Sequence, residues 1–572
     1  MRNDSRTALA CHEYLHKSLA PSRFDLTTII TADPLPDALK RAGIEHEQSV
    51  IEYLKTLNLK LEILDSSYPD DLWERSTARA LMNPDIDIIY RASIGEFCEA
   101  ELAQLQGVEN LGDPLRVSRP DLLIKVGTSD TGYPIWAPVD IKSHNPLVEN
   151  KSNNIYITKW PAFNPEIAEA ITSRLEEEDA LQLAHYLRHL QSLGLSDKSA
   201  WAGILGRDQS FIAWANLDAL TLGTESALTV YELAFAEAIK IKDLAIAREA
   251  DPTLPAATIA RRVPECTTCE MRKICRTEME AYDNGAGHVT LLSKVTAGKA
   301  LANLNGIESI TELAKATGLN SFGTEAVIRA KVWQSKIPVL LVPSKEFKVP
   351  TFDIEIDIDL ENSQAAAQEA GLEDSPGRDV LYMYGFGIHD RTINPDWRSV
   401  TVDCIDDFSD TDESEFQIYS QMWQRLEEEV AKAEAAGKSV GIFHFGAHEQ
   451  IWWRKFAHIH ALKQGTPTLD RVETFMSKYL INLLPIARQV ALPVSGYSIK
   501  TLAPLAGFNW EVDSAGGDNS IVVYQRAISS KSSPQEKADA VQWLRDYNRD
   551  DVKATFAVRE YLRGLKKNDL AI

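Results

Sequence analysis

The sequence predicts an α/β protein of several folding units, and three stretches carry that expectation. PDLLIKV (120–126) and PIWAPVDIKSH (134–144) are β-like runs separated by GTSDTGY, whose glycine, serine and aspartate content is that of a hairpin turn. In the second half, TFDIEIDIDL (351–360) alternates acidic and aliphatic residues with a period of two, and the β-like runs VLYMYGFGIHD and WRSVTVDCI follow it. A long helical pattern, ESEFQIYSQMWQRLEEEVAKAEAAG, and the apolar run SVGIFHFG (439–446) come next, giving three strands, a helix and a further strand.

Composition narrows the classes. With 572 residues, 44% of them hydrophobic, and no long charge-free apolar stretch, a soluble chain of three or four folding units is expected, with no membrane span. A net charge of −23 argues against a simple basic nucleic-acid binder, since phosphate contacts draw on lysine and arginine, though net charge is a weak veto. It leaves room for an enzyme that holds divalent cations, which concentrates carboxylates. The acidic run DDFSDTDESEFQ (406–417) reads as solvated loop and helix start. The N-terminal MRNDSRTALACHEYLHKSLA lacks the basic start and apolar run of a secretory signal, so a reducing, cytoplasmic setting is expected.

In chain order, PDALKRAGIEHEQSVIEYLKTLN (36–58) places Ile44, Val50, Ile51 and Leu54 at helical spacing, with His46 and Glu47 on the turn leading into the stripe. EEEDALQLAHYLRHLQSLG (176–194) is amphipathic, with Gln182 and Tyr186 four apart on one face. After YDNGAGHV (282–289), short helices punctuated by Gly298 and Gly306 fit either a helix-hairpin-helix element that meets phosphate or a helical spacer. PSKEFKVP (343–350) reads as an extended linker. The final VQWLRDYNRDDVKATFAVREYL (541–562) is helical, with Tyr547 and Asp551 four apart.

Three constellations carry chemistry. On the hairpin, Asp121 opens one strand while Asp140 and Lys142 share a face of the other. Two carboxylates and a lysine suit metal-assisted phosphodiester hydrolysis, the carboxylates holding the ion and the lysine serving the water or the phosphate oxygens. On the acidic strand, stacked carboxylates repel unless a cation compensates, and metal binding by Asp353 and Glu355 resolves that conflict, with Asp551 as the matching late carboxylate. Finally, PECTTCEMRKIC (264–275) clusters Cys266, Cys269 and Cys275 among only six cysteines. In a reducing compartment such a group points to a metal, with the fourth ligand to come from Cys11, Cys98 or Cys404.

His46, Pro120-Asp121, Asp140-Ile141-Lys142 and Gln182-x3-Tyr186 occur in the order seen in RecB-like nucleases of the PD-(D/E)XK superfamily, which residues 1–285 resemble. The resemblance implies a restriction-endonuclease-like fold with a catalytic metal held by His46, Asp121 and Asp140 and served by Lys142, Gln182 and Tyr186. Relatives with an iron-sulfur cluster, such as the AddB-type and CRISPR-adaptation exonucleases, pair an early cysteine with a late C-x2-C-x5-C group. By that resemblance Cys11 joins Cys266, Cys269 and Cys275 around a [4Fe–4S] cluster, with zinc the alternative.

Residues 343–572 resemble the DEDD, or DnaQ-like, 3′–5′ exonucleases, and most closely the YprB-like ribonuclease-H branch, which in some bacterial proteins follows a RecB-like nuclease in one chain. The likeness implies an RNase H-like fold in which Asp353, Glu355, Glu449 and Asp551 hold Mg²⁺ or Mn²⁺ and Tyr547 orients water. Glu449 stands where that superfamily places aspartate, and Asn482 where relatives often have Asp. LPVSGYSIKTLAPLAGF (492–508) reads as an insertion shaping the strand groove, with Lys500 a phosphate contact.

The expected architecture is therefore a PD-(D/E)XK-like domain over 1–285, a helical spacer over 286–342 and an RNase H-like domain over 343–572. The expected function is metal-dependent hydrolysis of DNA or RNA offering a single strand or an end, alone or beside a helicase or repair partner. Two alternatives remain: a nucleic-acid-binding scaffold with decayed sites, and an RNase H-like interaction module.

Overall fold

A computed structural model describes residues 2–24, 46–109, 111–142, 147–149, 156–159, 166–167, 173–197, 199–206, 211–267, 269–341, 347–363, 379–394, 400–512 and 517–565. Among these, residues up to Ile259 form one compact unit and residues from Ala260 onward form another.

The first unit is built on a mixed sheet. Its strands are β1 (Leu61–Ile63), β2 (Ile88–Tyr90), β3 (Leu122–Thr128), β4 (Pro134–Ile141), β5 (Tyr156–Lys159), β6 (Glu166–Ile167), β7 (Trp201–Leu205) and β8 (Phe211–Asn216), in spatial order β1-β2-β3-β4-β7-β8-β5-β6. The hairpin β3–β4 is antiparallel and β4–β7 parallel. Because β4 is covered on both faces, it reads as a near-continuous apolar run. On one side Val50, Ile51 and Leu54, from a helix over 46–56, pack on Ile88, Leu122, Ile124 and Val139. The rest of the helix expected over 36–58 falls partly at 36–45, outside the described residues. On the other side lies α1 (Glu177–Ser192), with Leu183, Tyr186 and Leu187 against Ile204 and Ala213. Leu122 pairs with Val139, so one step further Asp121 meets Asp140 at the mouth of the hairpin.

The second unit opens with the cysteine segment, which the sequence reading grouped with the first domain. A turn over Pro264–Thr267 leads into α2 (Arg272–Gly285), and Met271, Cys275 and Met279 pack with Val289, Leu291, Leu292 and Ile310. The short helices of the spacer follow: α3 (Ala297–Asn303), α4 (Ile310–Lys315) and α5 (Ser321–Ser335). Of the expected linker, 343–346 lie outside the described residues and 347–350 are irregular.

A five-stranded sheet then forms from β9 (Ile354–Asn362), β10 (Leu381–Asp390), β11 (Val402–Asp406), β12 (Val440–His444) and β13 (Leu480–Asn482), ordered β11-β10-β9-β12-β13. The first three strands form an antiparallel meander, and β12 and β13 continue parallel to β9. Between β11 and β12 runs α6 (Asp412–Ala435), started by a capping box of Thr411 and Ser414. The aliphatic face of β9, Ile354, Ile356, Ile358 and Leu360, is covered by Ile418, Met422, Trp423 and Leu426 of α6 and by Trp453 and Phe456 of α7 (His448–Ile459).

The acidic face of β9 receives the last helix, α8 (Pro534–Gly564), whose start is fixed by a Ser533–Glu536 capping box and a proline in the first turn. Its close approach depends on missing side chains: a Cβ at Gly385 would sit 1.9 Å from Asn548 Oδ1, and one at Gly387 2.8 Å from Phe556. The same helix delivers Arg559 and Arg563. Arg559 is fully buried, hydrogen-bonded to Asp357 and 3.2 Å from Glu355, while Arg563 grips Glu355 at 2.6 and 2.9 Å.

Removing one partner of this buried group strands the others. Arg559→Leu is expected to destabilise the second unit by about 3–5 kcal/mol, read as a lowered urea midpoint. Adding Glu355→Gln and Asp357→Asn should recover part of the loss; a midpoint unchanged by Arg559→Leu would contradict this account.

Candidate functional site

Asp359 and Glu361 sit near the C-terminal end of β9, and Asp551 faces them from α8; one ligand oxygen of each lies within 4.8 Å of the others. Asn548, one turn before Asp551, donates from Nδ2 to Asp359 Oδ2 at 2.7 Å. Two donors converge on Asp551 Oδ1: Lys500 Nζ at 2.5 Å and Trp510 Nε1 at 2.5 Å. The Lys500 ammonium also lies 4.2 Å from the Trp510 ring centre and 4.3 Å from that of Tyr547. Tyr547 is itself buried and stacked on Trp543, with ring centroids 5.2 Å apart.

Crowding has an electrostatic consequence. Burial, then the charge of Asp551, pushes the Asp359 carboxyl well above its ordinary range. Burial and Asp551 likewise push Glu361 up to about 8, against the opposing pull of Lys500. Such groups stay ionised together only with positive charge among them, so the donor set fits a hard divalent cation.

Glu449, in the first turn of α7, is buried and accepts a hydrogen bond from His444 Nδ1 at 2.7 Å. Its charge reaches both Asp359 and Glu361, raising each. Asn482 is occupied with backbone: its Oδ1 accepts from Gly446 N at 3.2 Å and Leu484 N at 3.0 Å, and its Nδ2 donates to Gly446 O.

The assignment of Asp353 and Glu355 as ligands beside Asp551 is corrected by this geometry. Asp353 lies just before β9 and accepts from the Ser439 backbone and hydroxyl, each at 2.8 Å. Burial works to raise Glu355, but Arg563 and Arg559 hold it below its ordinary value. At about 3.3 Å of rise per strand residue, Asp353 and Glu355 lie several residues before the carboxylates that meet Asp551. The Asp-x-Glu pair that does meet it is Asp359 and Glu361, which has the same spacing on the same strand face.

In the first unit, Asp121, Asp140, Lys142, Gln182 and Tyr186 come together. Asp121 Oδ2 accepts from Ile141 N at 2.8 Å, and burial followed by the adjacent Asp140 pushes its carboxyl well above the usual range. Lys142 Nζ lies 2.8 Å from Asp140 Oδ2, 3.1 Å from Asp179 Oδ1 and 3.1 Å from Gln182 Oε1. Gln182 Nε2 donates in turn to Tyr186 OH at 2.9 Å, and Ser5 Oγ lies 3.2 Å from that hydroxyl. Two carboxyls forced together beside a lysine fit a divalent cation as well. His46 begins the helix over 46–56; next to it Glu47 accepts from Tyr90 OH at 2.7 Å and adds to the negative charge felt by Asp121.

Cys266, Cys269 and Cys275 belong to the second unit and Cys11 to the first, and none of the four is in a disulfide. Val263 N donates to Cys266 Sγ at 3.4 Å, and Arg262 interacts with the Cys266 charge.

Sequence reasoning missed Asp359, Glu361, Asp179, Asn548 and Trp510. For the first pair a signal existed: Arg559 and Arg563 are four apart and share a helix face, which marks two carboxylates of the strand as already neutralised. Asp179 lies three residues before Gln182, on the same side of α1.

A family model described as the RNase H superfamily matches residues 398–563. No curated protein and no solved structure matches the chain. The match runs from β11 through α8 and takes in Glu449, Lys500, Tyr547 and Asp551, so the C-terminal part of this chain carries an RNase H-like domain.

Proposed function

We propose that this chain is a divalent-cation-dependent nuclease that hydrolyses phosphodiester bonds of DNA or RNA. The observation that carries the reading is the convergence of Asp359 and Glu361, on β9, with Asp551, which lies within the stretch that matches the RNase H superfamily. In this reading the three carboxylates hold the cation, with Glu449 completing the ring from α7. A divalent cation bound there offsets charge building on the phosphate and acidifies a water. Tyr547, buried against Asp551, orients that water, as in 3′–5′ exonucleases of the DEDD type.

A second centre belongs to the same proposal. Asp121 and Asp140, with His46, hold a cation in the first unit as in RecB-like PD-(D/E)XK nucleases. Lys142, fixed by Asp140, Asp179 and Gln182, presents its ammonium to the phosphate or the water. Gln182 and Tyr186 position Lys142. Cys11, Cys266, Cys269 and Cys275 bind a [4Fe–4S] cluster, or zinc, with a structural role.

Each centre is tested with the other silenced in the full chain, on labelled single- and double-stranded DNA and RNA with Mg²⁺ or Mn²⁺. With Asp140→Asn as background, Asp359→Asn or Asp551→Asn should lower the remaining cleavage by roughly 10²–10³-fold, the scale of losing one group that stabilises transition-state charge. Asp353→Ala in that background should cleave normally; if it is as inactive as Asp359→Asn, the ligand set is wrong. A strand that is bound and left intact by the unmutated chain identifies a scaffold instead.

With Asp551→Asn as background, Asp121→Asn and Lys142→Ala should remove the cleavage that remains, and Gln182→Ala should show a smaller loss. Cleavage that survives all three variants rules the first centre out.

Anaerobically purified protein should contain iron with inorganic sulfide, and Ser in place of any one of Cys11, Cys266, Cys269 or Cys275 should lower that content, whereas Cys98→Ser and Cys404→Ser should not. Equal metal content in Cys11→Ser would remove Cys11 from the ligand set, and zinc without sulfide would decide for the alternative.

A further inference from the structure

Lys500 lies on a short helix, Ile499–Leu502, that packs with the following turn against α8. Its Nζ is 2.5 Å from Asp551 Oδ1, and the ring centres of Trp510 and Tyr547 lie 4.2 and 4.3 Å from it. Trp510 Nε1 donates to the same oxygen at 2.5 Å. One carboxylate oxygen of the cluster is thus held by two donors from a single segment, while Asp359 is tied through its other side to Asn548.

We propose that Lys500 is a tethered counter-ion of the Asp359–Glu361–Asp551 cluster: its ammonium fixes Asp551 before a divalent cation arrives and yields Asp551 Oδ1 when one binds. The inference rests on reading that cluster as a cation site. Carboxylates this close repel, and a lysine carried by the chain offsets the repulsion without needing the ordered geometry of a metal. The aromatic faces make release feasible, since an ammonium leaving Asp551 keeps the attraction of the Trp510 and Tyr547 rings. Whatever free energy the Lys500–Asp551 contact contributes is subtracted from cation affinity, because the two compete for one oxygen. Lys500 is therefore a positioning residue that sets the cation concentration at which the centre fills.

The experiment uses the full chain carrying Asp121→Asn and Asp140→Asn, so that Mn²⁺ bound in an Asp551-dependent way reports the second centre. Free Mn²⁺ is followed by electron paramagnetic resonance during titration. Lys500→Met keeps the stem and removes the charge; it should tighten Mn²⁺ binding by at least about fivefold, a typical coupling between competing sites. It should also lower the melting temperature of the metal-free protein and enlarge the rise on adding Mn²⁺. Lys500→Arg should keep the weaker affinity, and Lys500→Gln serves if the Met variant does not fold. A merely structural lysine predicts unchanged or weaker Mn²⁺ binding in Lys500→Met, and that result overturns the proposal while leaving the cation site intact. Mn²⁺ binding that does not depend on Asp551 overturns the proposal and the cation-site reading together.

Discussion

Glu355, Asp357, Asp359 and Glu361 project from one face of β9, and the repulsion among them is the constraint around which the second unit is arranged. The strand cannot turn that face to solvent, because its other face is locked into the apolar core by Ile354, Ile356, Ile358 and Leu360. Positive charge and hydrogen-bond donors must therefore come to it, and α8 brings most of them. Arg559 and Arg563 answer the first two carboxylates, and Asn548 answers the third with a neutral amide. Between these, α8 presents not a cation but a further carboxylate, Asp551. One helix thus neutralises half of the acidic face and intensifies the charge of the other half.

That division depends on how closely the helix lies. Gly385 and Gly387 leave the space that Asn548 and Phe556 fill, so the glycines of β10 are as much part of the site as its carboxylates. The first unit meets a smaller version of the same constraint. There the hairpin register puts Asp121 opposite Asp140, and a buried Asp140 is tolerated because Lys142 follows two residues later and bends back onto it.

Much of this was legible in the sequence. Period-two alternation gave the strand and its two faces, the composition of GTSDTGY gave the hairpin, and the four-residue spacings of Gln182 with Tyr186 and Tyr547 with Asp551 gave pairs that the structure places side by side or against one cluster. What alternation could not give was position along the strand: Asp353, Glu355, Asp357 and Asp359 are equivalent by period, and only the placement of α8 across the sheet distinguishes them. That placement is tertiary, fixed by Gly385, Phe556 and the two arginines, which are distant in sequence from β9. Glu449 was singled out by the resemblance, which implies an acidic residue after the fourth strand, but its partner His444 was not, since a histidine at a strand end carries no pattern of its own. The side taken by the residues after Ile259 depends on which core receives Cys275 and Met279, which sequence pattern alone does not decide.

The two centres differ most in how each holds its lysine. Lys142 is bound by oxygens of Asp140, Asp179 and Gln182, with Gln182 braced in turn by Tyr186. An ammonium with three oxygen partners is fixed in direction. Among the described residues Lys500 meets one carboxylate oxygen, shared with Trp510, and otherwise rests on ring faces, which attract charge without directing it. The same residue type is therefore held by oxygens in one cluster and by a carboxylate and two rings in the other, and the difference follows from the number of oxygens each fold brings within reach.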